Sequence, residues 1–347
     1  MSPMITGLLI SFIITLLITP FLRRMALSLG ACDRPSPRRI NKKPVPNLGG
    51  VALYFGILVG ILATLPLSAP IQGLLLGCTI IVIVGVVDDL RGLSPGVKFM
   101  GQLLAAVSLL PFGVEIQFVT NPWGGMIFLG AWGIPLTLLW VVGITNTVNF
   151  IDGLDGLAAG IALIASVTLA VVAMQEGQSG AAVLSLIIAG SVAAFLIFNF
   201  HPAKIFMGDT GAMLLGFILA TTSIVGALKS ATAMTVLVPI MALGVPITDT
   251  LLAILRRKKN GHPIALADKD HIHHRLLRVG FSHRGAVLIS YGTTAFLGIM
   301  AILINANGGT EGIVLFLLVA VLIGFGGWRL GLFKIKKETG EKISPPL

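Results

Sequence analysis

The feature that most constrains this chain is a succession of apolar runs, each long enough to cross a bilayer. Spanning the hydrocarbon core takes roughly 20 helical residues, and a lipid-exposed backbone must satisfy its own hydrogen bonds, which favours helices. The pattern predicts an all-α integral membrane protein in which residues 1–347 form one polytopic domain. The eleven predicted transmembrane runs are 4–22, 47–65, 70–87, 98–113, 133–149, 157–174, 181–199, 211–227, 233–254, 285–305 and 312–328.

Composition supports this class of protein. The chain is 55% hydrophobic and only 11% charged, whereas soluble domains carry about 25% charged residues. No stretch interleaves aromatic and basic residues in the manner of a nucleic-acid module, so we expect no nucleic-acid partner. Cys32 falls in a loop and Cys78 in the middle of a helix, so neither a disulfide nor a cysteine metal cluster is predicted.

Basic residues orient the chain in the membrane. Arg23 and Arg24 follow the first run, so the positive-inside rule places the N-terminus outside and the C-terminus in the cytoplasm. The inner segments would then be 23–46, 88–98, 150–156, 200–210, 255–284 and the tail 329–347. They contain 23 of the 24 lysines and arginines, and only Lys229 lies outside. This basic inner face would attract anionic lipids and a soluble anionic substrate, which predicts a multi-pass protein of the cell membrane.

The conspicuous polar residues lie at the inner ends of odd-numbered predicted helices. Carboxylates near membrane depth are costly and usually mark a site, so this one-sided distribution predicts an active site at the cytoplasmic face. The groups are Asp88 and Asp89; Asn146, Asn149, Asp152 and Asp155; Lys204 and Asp209; and Asp249 with His271–Arg275.

The second group follows a spacing of three residues, which in a helix gives a slowly drifting stripe along one face. Oxygen ligands from Asn and Asp suit Mg²⁺, which takes one or two carboxylates together with substrate phosphates. The alternative is a helix end built from residues that favour loops.

The first and third groups also allow two interpretations. Asp88 and Asp89 stand where the helix dipole favours Lys or Arg, so they would hold a metal or act as a base, or else they begin a turn. Lys98 is either a phosphate contact or a snorkelling lysine. Asp209 either caps a helix or reaches phosphate through Mg²⁺.

The segment HIHHR offers several cationic or hydrogen-bonding groups. If it is helical, His271, His274 and Arg275 share a face. Three histidines would suit zinc, but no further ligand is spaced to complete such a site. Contacts to phosphate are therefore favoured.

Four motifs together resemble a known family. VVDDLRGLSPGVKF, NTVNFIDGLDGLAAG, NFHPAKIFMGDTGAMLLGF and HIHHRL occur in this order, and over nearly the whole chain they look like the polyprenyl-phosphate N-acetylhexosamine-1-phosphate transferases (glycosyltransferase family 4). The HIHHR form resembles the branch that begins enterobacterial common antigen, O-antigen and wall teichoic acid synthesis. The branch that transfers phospho-muramoyl-pentapeptide usually reads HHHFE. Asn41 departs from the pattern, because the family often has His there.

The resemblance implies a reaction in which UDP-GlcNAc and undecaprenyl phosphate give undecaprenyl-diphospho-GlcNAc and UMP. Mg²⁺ would be the cofactor, with Mn²⁺ as a substitute. The implied partners are both substrates and membrane lipids, and a homodimer is compatible with the family. The alternatives are the same chemistry with UDP-GalNAc or UDP-MurNAc-pentapeptide, or a polytopic transporter, which would place its polar residues near the middle of the membrane.

The resemblance also implies roles for individual residues. Asn149 and Asp209 would bind the metal, Asp155 would contact the uracil, and Asp152 would support the nucleotide site. The other substrate-binding positions are Lys98, Asn146, Lys204, His271, His273, His274 and Arg275.

Asp88 and Asp89 would lie beside the lipid phosphate, and together with Asp209 they form the predicted catalytic set. Asp88 is the usual candidate for a base. The second pKa of a phosphate is near 6, so the lipid phosphate is largely ionised at neutral pH. A base would therefore help the reaction without being required for it.

Overall fold

The computed structural model describes residues 2–33, 44–120, 125–227, 237–259 and 271–307, with isolated positions at 314, 317, 318 and 321. Several features of the predicted topology lie outside these residues. They are Asn41, Lys229, most of the run 312–328 and the tail 329–347.

Helices make up most of the described chain. They are α1 (Pro3–Leu29), α2 (Gly49–Thr64), α3 (Ala69–Arg91), α4 (Pro95–Val107), α5 (Gly133–Ile151), α6 (Leu157–Gln175), α7 (Ser179–Asn199), α8 (Gly208–Ala227), α9 (Leu237–Ala242), α10 (Gly244–Lys259), α11 (Ile272–Val279) and α12 (His283–Asn307). Two short antiparallel pairs join β1 (Cys32–Asp33) to β2 (Val45–Pro46) and β3 (Phe118–Thr120) to β4 (Met126–Phe128). The second pair forms a hairpin in the segment between α4 and α5.

Eight helical segments of the described chain are long and apolar enough to cross a membrane, and α2 is a shorter apolar helix of 16 residues. One of the eight consists of α4 and the 3₁₀ turn that follows it, Leu110–Phe112. The chain is thus a mostly helical, multi-pass membrane protein, as predicted. The count of eleven spans and the orientation of the chain stay predictions.

The predicted run 233–254 is not one continuous helix. The structure breaks it at Leu243, between α9 and α10. Pro246 lies in the first turn of α10 and has no backbone N–H, so it cannot continue the hydrogen-bond ladder to the carbonyl of Ala242. Periodicity alone could not show this break, because the residues on both sides of it are apolar.

Helix α8 decides where the site forms. It packs against α3 and α5, and its residues from Ala212 to Ala220 are almost all buried. Its first residues therefore lie between the last residues of α3 and those of α5. This arrangement brings three of the four polar motifs to one end of the helix bundle.

Candidate active site

The site is built around the first turn of α8. The carboxylate of Asp89 accepts hydrogen bonds from the backbone N–H of Asp209 at 2.8 Å and from that of Thr210 at 3.1 Å. The Thr210 hydroxyl donates to the same carboxylate at 2.6 Å. Asp89 therefore satisfies backbone donors that would otherwise lack a partner at the start of a helix. Gly208 precedes them with φ +70°, and a Cβ at this position would overlap the Asp89 carboxylate.

Because Asp89 provides the cap, the side chain of Asp209 is directed elsewhere. Its Oδ1 accepts a hydrogen bond from Asn149 Nδ2 at 2.5 Å, and its Oδ2 lies 2.9 Å from Lys98 Nζ. The same ammonium lies 2.8 Å from Asp88 Oδ2. Four side chains from α3, α4, α5 and α8 thus meet in one cluster, and all four are among the predicted site residues.

The cluster has an excess of negative charge. Asp88 and Asp209 both contact Lys98, Asp89 accepts hydrogen bonds at the start of α8, and Asp152 lies within electrostatic range of Asp89 and Asp209. Burial, followed by the negative charges of Asp209, Asp89 and Asp155, raises the pKa of Asp152 to about 8. A site that disfavours the ionisation of a further carboxylate favours the binding of a cation.

The donor atoms fit Mg²⁺. They are carboxylate oxygens of Asp88 and Asp209 and the amide of Asn149, and hard oxygen donors of this kind are what Mg²⁺ prefers. Asn149 presents its nitrogen to Asp209 in this arrangement, and its Oδ1 would be the metal ligand. The Lys98 ammonium, held between two carboxylates, already stands at a position that suits a cation.

Asn146, a predicted substrate contact, pairs beside the cluster with Gln102, which the sequence did not single out. Asn146 Nδ2 donates to Gln102 Oε1 at 2.6 Å, and Gln102 Nε2 also lies 3.2 Å from the sulfur of Met213. Asn146 is therefore held one turn before Asn149, although no described hydrogen bond joins it to Asp209. The sequence carried a signal for Gln102, since it is an amide within an apolar run, one turn after Lys98.

Asp155 contacts the segment that follows α7, whereas the side chain of Lys204 in that segment is exposed. Asp155 Oδ2 accepts a hydrogen bond from the Ala203 backbone N–H at 3.0 Å and lies 2.7 Å from His201 Nδ1. Lys204 is exposed, and its backbone carbonyl accepts a hydrogen bond from Arg23 Nε at 3.1 Å. Among the described contacts, none joins the Lys204 side chain to the carboxylate cluster, so its predicted role has no contact to support it.

The HIHHR segment forms α11, which begins at Ile272, so His271 precedes the helix and is its N-cap residue. Asp249 in α10 orients this start. Its Oδ1 accepts from the Ile272 backbone N–H at 2.8 Å, and its Oδ2 lies 2.8 Å from His271 Nδ1. Asp249 is almost fully buried. The sequence placed it at a helix end without assigning it a role, and the structure shows that it positions His271.

His273 joins α11 to the loop that follows α5. A Cβ at Gly153 would overlap His273 Nε2, so only glycine allows this close approach. Burial, followed by the charge of His274, lowers the pKa of His273 to about 3, so its imidazole is neutral at physiological pH. Its Nε2 has no hydrogen-bond partner among the described residues.

One cavity of about 1410 Å³ reaches from Lys98 and Asn149 of the cluster to the histidines around α11. Its polar end is lined by Lys98, Asn146, Asn149, Gly153, His271, His273 and His274. Arg275, on the same helix, is buried. The remaining walls are mostly apolar and follow α5 from Phe150 back to Leu136, near the β3–β4 hairpin. These two residues are 14 apart, which is roughly 21 Å of helix. The site therefore opens onto a long apolar groove.

Comparison with known proteins agrees with this arrangement. Residues 71–227, which contain three of the four motifs, match the model of glycosyl transferase family 4. The chain is 41% identical to the Bacillus subtilis protein named "Probable undecaprenyl-phosphate N-acetylglucosaminyl 1-phosphate transferase", over 93% of this chain and 90% of that protein.

Other relatives carry related names. A decaprenyl-phosphate N-acetylglucosaminephosphotransferase of Mycobacterium tuberculosis is 37% identical, over 84% of this chain and 81% of its own length. An undecaprenyl-phosphate alpha-N-acetylglucosaminyl 1-phosphate transferase of Escherichia coli O157:H7 is 26% identical, over 94% and 93%. The resemblance seen in the four motifs is confirmed, and the chain belongs to glycosyl transferase family 4.

Proposed function

We propose that this protein transfers GlcNAc-1-phosphate from UDP-GlcNAc to undecaprenyl phosphate. The observation that carries the proposal is the meeting of Asp88, Lys98, Asn149 and Asp209 in one cluster, of which Lys98 and Asn149 line the polar end of an apolar groove. A cation-binding cluster beside a groove of this kind suits a reaction between a polyprenyl phosphate and a soluble nucleotide sugar. The names of the relatives support the same substrates.

In this reaction an oxygen of the lipid phosphate attacks the β-phosphorus of UDP-GlcNAc. The bond from that phosphorus to the oxygen bridging the two phosphates breaks, and UMP leaves. Bound Mg²⁺ would offset the repulsion between the two anionic substrates and stabilise charge on the transferring phosphoryl group. Asp209 and Asn149 would hold the Mg²⁺ ion, and the same ligands would also accept Mn²⁺ as an alternative cofactor.

The chain's own residues supply position and charge. Lys98 would contact a substrate phosphate once the metal neutralises the carboxylates that now hold it. Asp88, which contacts Lys98, would receive a proton from the lipid phosphate if that phosphate were not already ionised. Asp89 fixes the backbone of Asp209, so its predicted catalytic role would act through that residue.

The two substrates would approach from different directions. The apolar groove along α5 would take the first part of the prenyl chain and leave its phosphate beside Lys98. The nucleotide would lie on the side of Asp152 and Asp155, with α11 and its histidines covering the diphosphate and the sugar. Among these histidines, His271 is held by Asp249.

The cellular setting follows from the distribution of basic residues. The positive-inside rule supports a site facing the cytoplasm, where UDP-sugars are made, in the cell membrane. The product would then begin a cell-envelope glycopolymer such as teichoic acid or O-antigen. A homodimer stays a prediction, because the contacts within one chain do not bear on it.

The direct test is UMP release by the purified protein from UDP-GlcNAc, undecaprenyl phosphate and Mg²⁺. Asp209→Asn should lower turnover by at least about 100-fold, because a group that stabilises transition-state charge is worth that much. Glu176→Gln is the matched control, since this acid lies at the opposite end of the bundle, 2.8 Å from Asn305 Nδ2. Absence of UMP release with every UDP-N-acetylhexosamine would contradict the proposal.

The same assay separates the alternatives. UDP-GalNAc and UDP-MurNAc-pentapeptide test which sugar the site accepts. A transporter would instead move solute across proteoliposomes without releasing UMP, and its polar residues would lie near mid-membrane. The carboxylates described here gather at one end of the bundle, and family membership also favours the enzyme.

A further inference from the structure

A second cluster of metal-ligating side chains lies outside the carboxylate site. Asp155 follows α5, His201 follows α7, and His283 begins α12. One nitrogen of each histidine and one carboxylate oxygen of Asp155 all lie within 4.8 Å of one another. Three segments distant in sequence thus bring an Asp-His-His set together.

The ligand atoms of these three side chains favour one class of metal ion over another. Two imidazoles and one carboxylate are a ligand set that suits Zn²⁺, whereas Mg²⁺ prefers oxygen donors. A tetrahedral zinc ion with bonds of about 2.0–2.1 Å places its ligands roughly 3.3 Å apart. His201 Nδ1 and Asp155 Oδ2 are 2.7 Å apart, so the ion would replace the hydrogen bond between them. The atoms of His201 and Asp155 need only a small shift to reach that spacing, whereas His283 must also change the direction of its ring.

The surroundings of the His283 ring leave its nitrogens available to a metal ion. Both of its ring nitrogens are buried, and neither has hydrogen-bond geometry with any described group, although the backbone of Asp155 lies beside the ring. The ring stacks on that of His201, with centroids 4.1 Å apart and planes 21° apart. Stacked rings cannot both direct a lone pair at one ion, so His283 must rotate. That rotation breaks the stacking contact but none of the described hydrogen bonds of its nitrogens.

We propose that Asp155, His201 and His283 form a Zn²⁺ site. The bound ion would join the start of α12 to the loops that follow α5 and α7. Arg284 already donates a hydrogen bond to the backbone carbonyl of His201 at 3.1 Å, so the two segments are in contact without the metal. Three protein ligands leave a fourth position for water.

The proposal predicts how the metal binds. Full-length protein freed of metal should take up one Zn²⁺ per chain in a competition titration with a zinc chromophore, in excess Mg²⁺ that fills oxygen-donor sites. His283→Asn and His201→Asn should each weaken binding by more than about tenfold, because even residues that only support metal ligands contribute 10- to 100-fold. Zn²⁺ should also raise the melting temperature of the wild type in a concentration-dependent manner.

Two controls decide where the ion sits. His274→Asn tests the HIHHR histidines as a rival site, and Asp209→Asn tests the carboxylate cluster. Both should keep wild-type zinc affinity. Loss of binding in His274→Asn with full binding in His283→Asn would overturn the proposal, as would no zinc uptake by the wild type. Co²⁺ absorption in the visible range, recorded for the folded variants, reports directly on the loss of a histidine ligand.

The consequence for catalysis rests on the proposed function. Zinc would engage Asp155, which is the expected uracil contact, so Zn²⁺ should raise the KM for UDP-GlcNAc in the wild type but much less in His283→Asn. Zinc binding without any change in KM would support the metal site and contradict the assignment of Asp155 to the nucleotide. Absence of zinc binding in a protein that releases UMP would overturn the metal site alone.

Discussion

Asp89 holds Asp209 in place through its backbone: the Asp89 carboxylate accepts a hydrogen bond from the Asp209 N–H at 2.8 Å, across 120 residues of sequence. This contact separates two acids that the sequence could only group together. Asp89 caps α8, and the Asp209 side chain is thereby free to face Lys98 and Asn149. The division of roles leads to different expectations for the two acids.

Replacing Asp89 by Ala should remove the cap and displace Asp209. We expect turnover to fall by about 100-fold, the scale associated with a 1 Å misplacement of a catalytic group. Loss of the cap should also lower stability by about 1 kcal/mol. Asp89→Asn keeps one acceptor oxygen and should fall between wild type and Asp89→Ala. UMP release and thermal unfolding measure both effects, and an Asp89→Ala protein with normal turnover would contradict the positioning role.

Lys98→Met should remove the only described cation between Asp88 and Asp209. Because a group that stabilises the transferring phosphate is worth about 100- to 1000-fold, we expect a loss of that size in turnover. Mg²⁺ should stabilise the variant at lower concentrations than the wild type, since no ammonium competes for the carboxylates. Melting temperatures over a Mg²⁺ series give this readout. Wild-type turnover in the variant would show that Lys98 is only a snorkelling lysine without a part in the reaction.

Gly153→Ala should push α11 away from the loop after α5, because the added methyl group would overlap His273 Nε2. Overpacking of this kind costs about 1–3 kcal/mol, and the displaced histidines should lower turnover. Gly180→Ala is the matched control, because nothing lies within 4 Å of a Cβ at that helical position. Equal behaviour of the two variants would show that the contact between Gly153 and His273 is unimportant.

His273 should make stability depend on pH. Its pKa is about 3 in the folded protein and about 6.5 in an unfolded chain. Below pH 6.5 the unfolded state therefore binds the proton first, and stability falls as pH falls. At pH 5 this amounts to about 2 kcal/mol. His273→Gln lacks this effect, so its melting temperature relative to wild type should rise between pH 7.5 and pH 5. A pH-independent difference would show that His273 is not buried in the neutral form.

The sequence by itself determined the class of protein and the composition of the site. Runs of about 20 apolar residues predict membrane helices, because the bilayer sets their length, and spans such as Ala69–Arg91 and Leu157–Gln175 were expected within a few residues. The one-sided placement of Asp88, Asn149 and Asp209 also followed from the sequence, because acids at helix ends stand out in an apolar chain.

Only the tertiary structure decided which polar groups touch. The 2.5 Å contact of Asn149 with Asp209, the pairing of Asp249 with His271 and the set of His201 and His283 around Asp155 join residues on different helices. Periodicity reports the environment along one helix and carries no information about its neighbours. The exposure of Lys204 was hidden for the same reason, because it depends on how the helices pack against one another, which local sequence patterns do not encode.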